Sequence, residues 1–134
     1  MELGIDGNAA LVTASSSGLG KASAKALASE GAKVVVNGRD ADRLEEAVDD
    51  VRKAAADGTE VVGVQADISK KEDVEYLVER TVEEFGGIDH LVTSAGGPPS
   101  GPFLETTDED WYEAFDLLVM SVVRAVREAD PHLR

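Results

Sequence analysis

Cysteine is absent from the 134 residues, which excludes disulfides and thiolate metal sites and is compatible with the cytoplasm. Aromatic residues are scarce, and basic ones are outnumbered: 13 Lys and Arg stand against 27 Asp and Glu, a formal charge of −14. A chain this acidic repels nucleic acid and anionic membrane surfaces within a Debye length, so neither is an expected partner. No run of 18 apolar residues occurs, and Met1-Glu2-Leu3-Gly4-Ile5-Asp6 lacks the basic-then-apolar order of a signal segment. The expectation is a soluble, unexported, cytoplasmic protein. The acids are spread, as in Asp40-Ala41-Asp42, Asp49-Asp50 and Asp108-Glu109-Asp110, which is the pattern of a solvated surface rather than an acidic tail. Self-repulsion of this size points to a salt-rich cytoplasm, and its expected sign is a melting temperature that rises between salt-free buffer and molar salt.

What is present is a regular alternation. With 43% hydrophobic residues the chain has enough apolar surface for one domain spanning 1–134, and is too short for two comfortable ones. Ala9 to Val12 reads as a strand, and Leu19 to Glu30 as a helix whose small residues Ala22, Ala26 and Ser29 let it lie close on a sheet before Gly31 ends it. Lys33-Val34-Val35-Val36-Asn37 is the continuous run of a strand buried on both faces. Leu44, Ala47, Val48, Val51 and Ala55 then recur at helical spacing, with Gly58 as the expected stop. Glu60 to Gln65 is a third strand. Ser69 and Glu72 form an S-x-x-E capping pattern ahead of Val74, Leu77, Val78, Thr81, Val82 and Phe85, and Gly86-Gly87 closes that helix. Ile88 to Thr93 is a fourth strand, and Gly96-Gly97-Pro98-Pro99-Ser100-Gly101-Pro102 is a loop long enough to wrap something. Thr107, with Asp110 three residues on, caps a last helix running from about Asp108 to Pro131. Its middle, Leu117 to Val123, is apolar nearly all round and implies a second packed surface. Strand and helix alternating four times with short connections require right-handed crossovers, hence an α/β fold with a doubly wound, Rossmann-like parallel sheet, (βα)4.

The first strand–helix junction carries the chemistry. Val12-Thr13-Ala14-Ser15-Ser16-Ser17-Gly18-Leu19-Gly20 runs from strand through small residues into a helix start. The unpaired N–H groups and dipole of that start favour a phosphate without any basic side chain. Gly18 and Gly20 let a phosphate approach the main chain, while Ser15, Ser16 and Ser17 add hydroxyl donors. A nucleotide is the expected ligand, at the carboxyl ends of the strands.

With these elements placed, the chain resembles the short-chain dehydrogenase/reductase family over its whole length, most nearly the 3-oxoacyl-carrier-protein reductases. The family's T-G-x-x-x-G-x-G coenzyme loop resembles Thr13 to Gly20. Its adenine-ring aspartate after the third strand matches Asp67, followed by Ile68; its N-N-A-G matches Thr93-Ser94-Ala95-Gly96; and the Trp-rich start of the next helix matches Trp111. The resemblance implies an oxidoreductase that moves hydride between a nicotinamide coenzyme and a small-molecule carbonyl or alcohol. At the tip of the second strand, where NAD-preferring enzymes place a carboxylate for the ribose 2′-OH, stand Gly38 and then Arg39, whose fork suits a 2′-phosphate. NADP(H) is therefore preferred and NAD(H) is still allowed; Asp40 swinging back toward a ribose, or Arg39 pairing with Asp42, would favour the latter.

The sequence departs from the family in four places. Ala14 replaces the first glycine, which is tolerable only with ordinary backbone angles. Thr93 and Ser94 replace the two asparagines, and Leu118 stands where the family has an asparagine that orders a proton-relay water. The family's catalytic serine and Y-x-x-x-K pair lie past Arg134, so no catalytic residue is assigned here and the domain is expected to be incomplete on its C-terminal side. Tyr76, four residues before Arg80, and Tyr112, before Asp116, read as surface or packing residues. His90 and His132 have no second His or a Cys at ligand spacing, so no metal is expected. Two further readings stay open: a non-catalytic nucleotide-binding module of an atypical branch, and an assembly unit. Relatives commonly form dimers or tetramers through this last helix, so a homodimer or homotetramer through the 108–130 segment is expected, with Met120 and Val123 as candidate contacts.

Overall fold

The computed structural model describes residues 2–98 and 100–133. Four strands, β1 (Ala9–Val12), β2 (Lys33–Gly38), β3 (Val61–Gln65) and β4 (His90–Val92), alternate with α1 (Gly18–Ser29), α2 (Ala41–Ala54) and α3 (Lys71–Phe85). A last helical segment follows, made of α4 (Asp108–Phe115), a π turn (Asp116–Met120) and α5 (Ser121–Ala129). The strands form one parallel sheet in the order β3-β2-β1-β4, the Rossmann-like sheet expected from the βα alternation. The order reverses between β1 and β4, which opens a crevice at the carboxyl ends of the strands there.

Alternation along β1 explains the two layers. Ala10 and Val12, with Val34 and Val36 of β2, pack against Ala24 and Ala28 of α1 and Leu44, Ala47, Val48 and Val51 of α2. Ala9, Leu11 and Val35 face the opposite way, onto Val74, Leu77, Val78 and Phe85 of α3 and Ala125 and Ala129 of α5. All four residues of β1 are fully buried, and so are Val34, Val35 and Val36, as a strand covered on both faces requires. Leu11 and each of these valines is worth roughly 1.5–3 kcal/mol of burial.

Several boundaries differ from expectation, for local reasons. α3 begins at Lys71 with Lys70 in the N-cap position and no side-chain cap. Ser69 does not cap it, because its hydroxyl and amide both donate to Asp67 Oδ1, at 2.7 and 3.0 Å. α2 ends at Ala54, not at Gly58, when Ala55 turns to an extended conformation. The fourth strand has three residues rather than six, and Ile88 bridges separately to Leu133. Thr107 and Asp110 form the reciprocal cap expected of them. The helix beyond is interrupted by the π turn, in which the Ser121 amide donates to the Asp116 carbonyl, five residues back. Ser121, Ala125 and Ala129 face inward, while Leu118, Val119, Val122, Val123 and Val126 remain 38–47% exposed. Met120 is only half-exposed, unlike Val123. Among the described residues no helix is long and apolar enough to cross a membrane. Pro99, within the Gly/Pro loop, lies outside the described residues.

Candidate functional site

Above the carboxyl ends of the strands lies an open cleft of about 510 Å³, within the range of small-molecule and cofactor sites. One wall is the turn after β1, with Ser16, Ser17, Gly18 and Leu19. Ser17 precedes α1 in an extended conformation and makes no side-chain cap, and no acid occupies the first turn. The positive end of the α1 dipole is thus left open toward the cleft. Gly18 has φ +58°, and a Cβ there would meet nothing within 4 Å. Gly20 is constrained differently: a Cβ on it would lie 2.4 Å from the Ala14 carbonyl oxygen. The helix can approach the β1 turn this closely only because that position is glycine.

Thr13, Ser15 and Gly20 do not line the cleft. Thr13 and Ser15 are buried and hold the turn's shape. Thr13 Oγ1 donates to the Ser94 carbonyl at 2.8 Å and accepts from the Ser94 amide at 2.9 Å. The bracing that two asparagines would supply after β4 therefore runs through Ser94's main chain. Ser15 Oγ donates to the Val12 carbonyl at 2.8 Å and accepts from the Asn37 amide at 2.8 Å. Ala14 adopts φ +47°, so the ordinary backbone angles set as the condition for a methyl group at this position are not what the chain adopts. Its conformation is one that glycine would adopt without strain, and it is held there because Ala14 N donates to Asn37 Oδ1 at 2.9 Å.

Asn37 is the organising residue that the sequence reading missed. Fully buried at the end of β2, it also donates through Nδ2 to the carbonyls of Val64 and Ala66, at 3.1 and 3.2 Å. One side chain thereby ties the β1 turn, β2 and the end of β3 together. Its signal was a lone amide closing an all-valine run, where burial on both faces demands hydrogen-bond partners.

The second wall follows β2. Gly38 and Arg39 line it as expected, joined by Asp40 and by Arg43, a second cation in the first turn of α2 that the sequence reading passed over. Asp40 stands on this wall with one carboxylate oxygen committed: its Oδ1 accepts from the Arg43 amide at 3.0 Å and caps α2. Gln65 Nε2 donates to the Arg39 carbonyl at 3.0 Å, fixing the main chain from which that guanidinium projects. The third wall is Ala66, Asp67 and Ile68 after β3. Burial opposes the charge on Asp67, yet the two bonds from Ser69 and the positive charges of Arg39 and Lys70 outweigh it, holding its carboxyl below the usual aspartate range. Ser94, Ala95 and Gly96 after β4, with Gly97 and Leu117, also line the cleft, as do Ala14 and Asn37. Leu118, one residue further along the π turn, is exposed instead.

The remaining titratable candidates lie elsewhere. Arg80 pairs with Glu84 at 2.9 Å, Tyr76 and Tyr112 are exposed, and His90 Nε2 lies 3.1 Å from the Asn8 side-chain amide. Among the described residues no group of three or more His, Cys, Asp or Glu is placed to hold a metal ion.

The model of the short chain dehydrogenase family matches residues 8–134. An uncharacterized oxidoreductase of Bacillus subtilis is 38% identical over 133 residues, covering 99% of this chain and 49% of its own. The 3-oxoacyl-[acyl-carrier-protein] reductase of Synechocystis is 40% identical over 113 residues, 84% of this chain and 45% of that protein. The structure of L-sorbose reductase from Gluconobacter frateurii, complexed with NADPH and L-sorbose, superposes with a TM-score of 0.91 at 39% identity, over 99% of this chain and 50% of that one. The chain spans about half the length of the curated relatives it matches.

Proposed function

The chain belongs to the short-chain dehydrogenase family, and on that premise we propose that it is the coenzyme-binding part of an NADP(H)-dependent oxidoreductase interconverting a small-molecule carbonyl, of the ketone or 3-oxoacyl kind, and its alcohol. The nicotinamide would carry the hydride. Residues Ser16 to Leu19 and the α1 N-terminus would take the pyrophosphate, Gly38 and Arg39 the 2′-phosphorylated ribose, Asp67 and Ile68 the adenine, and Ser94 to Gly96 the other end of the coenzyme. Thr13, Ser15 and Gly20 would act by holding the phosphate turn. We place no catalytic residue in these 134 residues.

The observation that carries the coenzyme choice is the state of the β2 tip. An NAD site needs a carboxylate there to accept from the 2′-OH. The adjacent acid, Asp40, has its Oδ1 engaged in capping α2, and it shares the cleft wall with two cations, Arg39 and Arg43. NADP(H) is therefore favoured, with NAD(H) bound more weakly. Arg39→Ala is expected to weaken NADPH more than NADH by about 1–3 kcal/mol, the range for a charge-assisted hydrogen bond. Fluorescence titration with both coenzymes measures this, and equal losses would sink the 2′-phosphate assignment. Failure of the unmutated chain to bind either coenzyme would favour the assembly-unit reading.

The apolar outer strip of the last helix supports a homo-oligomer. Leu118, Val119, Val122, Val123 and Val126 are exposed along one side, more contiguous aliphatic surface than a solvated helix carries. A second copy across a two-fold axis would cover it. Val123→Asp would then bury an unpaired carboxylate twice per dimer and shift the protein to monomer. Light scattering at micromolar concentration checks both forms; a monomeric unmutated protein would overturn the assignment.

A further inference from the structure

Arg124 of α5 reaches across to the loop that follows β3. Its Nη1 donates to the Ser69 carbonyl at 3.2 Å and its Nη2 to Asp116 Oδ1, also at 3.2 Å, with its side chain largely buried. Ser69 in turn gives both of its donors to Asp67 Oδ1, and Asp67 lines the cleft beside Ile68. A continuous set of hydrogen bonds thus runs from the last helix to one carboxylate of the cleft wall.

The π turn makes this reach feasible. In an unbroken α-helix, residues eight apart stand about 80° from each other around the axis; a π turn absorbs one extra residue and reduces this to about 20°. Asp116 and Arg124 are eight apart, the first opening the π turn and the second lying one α-helical turn beyond it. The carboxylate therefore stands over the same face as the guanidinium and fixes its fork, leaving the other amine to grip Ser69. A planar fork held at both ends orients its acceptors in a way that a single-point ammonium cannot.

We infer that Arg124 is a positioning residue for adenine recognition: by anchoring Ser69 it fixes the orientation of the Asp67 carboxylate that would accept from the adenine amino group. This rests on the dinucleotide reading above. Because Val122, Val123 and Val126 of the same helix form the exposed strip, the same contact connects the adenine wall to whatever covers that strip.

The test uses a pair of coenzymes differing only in the group concerned: NADPH, and its purine analogue, in which a hydrogen replaces the exocyclic amine of the adenine. The unmutated chain should prefer NADPH by about tenfold, one charged hydrogen bond. Arg124→Ala should bring that ratio close to one, with the loss falling on NADPH, and Arg124→Lys should restore only part of it. A merely structural role would weaken both ligands equally and leave the ratio intact, and that result overturns the inference. Circular dichroism melting of each variant identifies any loss of fold, and Ser69→Ala, which removes the hydroxyl bond to Asp67 without touching the helix, should lower the ratio by itself. A chain that binds neither compound refutes the dinucleotide reading instead, which keeps the two failures apart.

Discussion

Gly18→Val is expected to abolish dinucleotide binding, weakening it at least about 100-fold, some 2.7 kcal/mol. With nothing of the protein within 4 Å of the added Cβ, the isopropyl group would extend into the cleft, at the place where the α1 N-terminus would meet the pyrophosphate. The substitution also has a backbone cost, because φ is +58° and a β-branched residue there is strained by about 1–2 kcal/mol. A matched control separates the two effects. Gly58 has φ +77° and equally open space, but lies in the turn before β3, away from the cleft. Gly58→Val should lose a similar amount of stability and keep its coenzyme. Calorimetric titration of both variants decides the matter: unchanged binding in Gly18→Val, or equal loss in the two, would mean that the loop is only a turn.

Asn37→Ala should be the most destabilising polar truncation in the chain. It would strip partners from the Ala14 amide and from the Val64 and Ala66 carbonyls, all around a side chain that is only 1% exposed. Each orphaned buried group costs about 1–3 kcal/mol, so a loss of about 3–5 kcal/mol is expected, a large share of the roughly 5–15 kcal/mol typical of a domain. Ala14, no longer held at positive φ, would relax toward ordinary angles and take the phosphate turn with it, so coenzyme affinity should fall as well. Urea unfolding followed by circular dichroism measures the first effect; a loss below about 1 kcal/mol would show that the three strand ends are held by something else. Asn37→Asp keeps the acceptor for Ala14 but loses both donated bonds and buries a charge, so it should be no better tolerated.

Periodicity is a local property, and everything that depends on it could be read from the order of residues. The apolar runs at Ala9–Val12 and Lys33–Asn37, the helical spacing from Val74 to Phe85, and the Thr107–Asp110 cap each involve residues within a turn or two of one another, so local sequence pattern alone determined the parallel α/β architecture and its first strand–helix junction. The family resemblance, in turn, marks Arg39 and Asp67. What only the tertiary structure decided involves partners distant in the chain or competition between near-equal local choices. Asn37 matters through acceptors and donors 23, 27 and 29 residues away, and no spacing rule encodes those. Ser69 had two plausible local roles, and the nearby Asp67 carboxylate won it from the helix terminus. The π turn inserts a single residue into a stretch that is apolar on every side, where a helical repeat of 3.6 and a wider one read alike. That one residue, invisible as a pattern, is what brings Asp116 over Arg124 and so fixes Arg124 on the Ser69 carbonyl, behind the cleft wall.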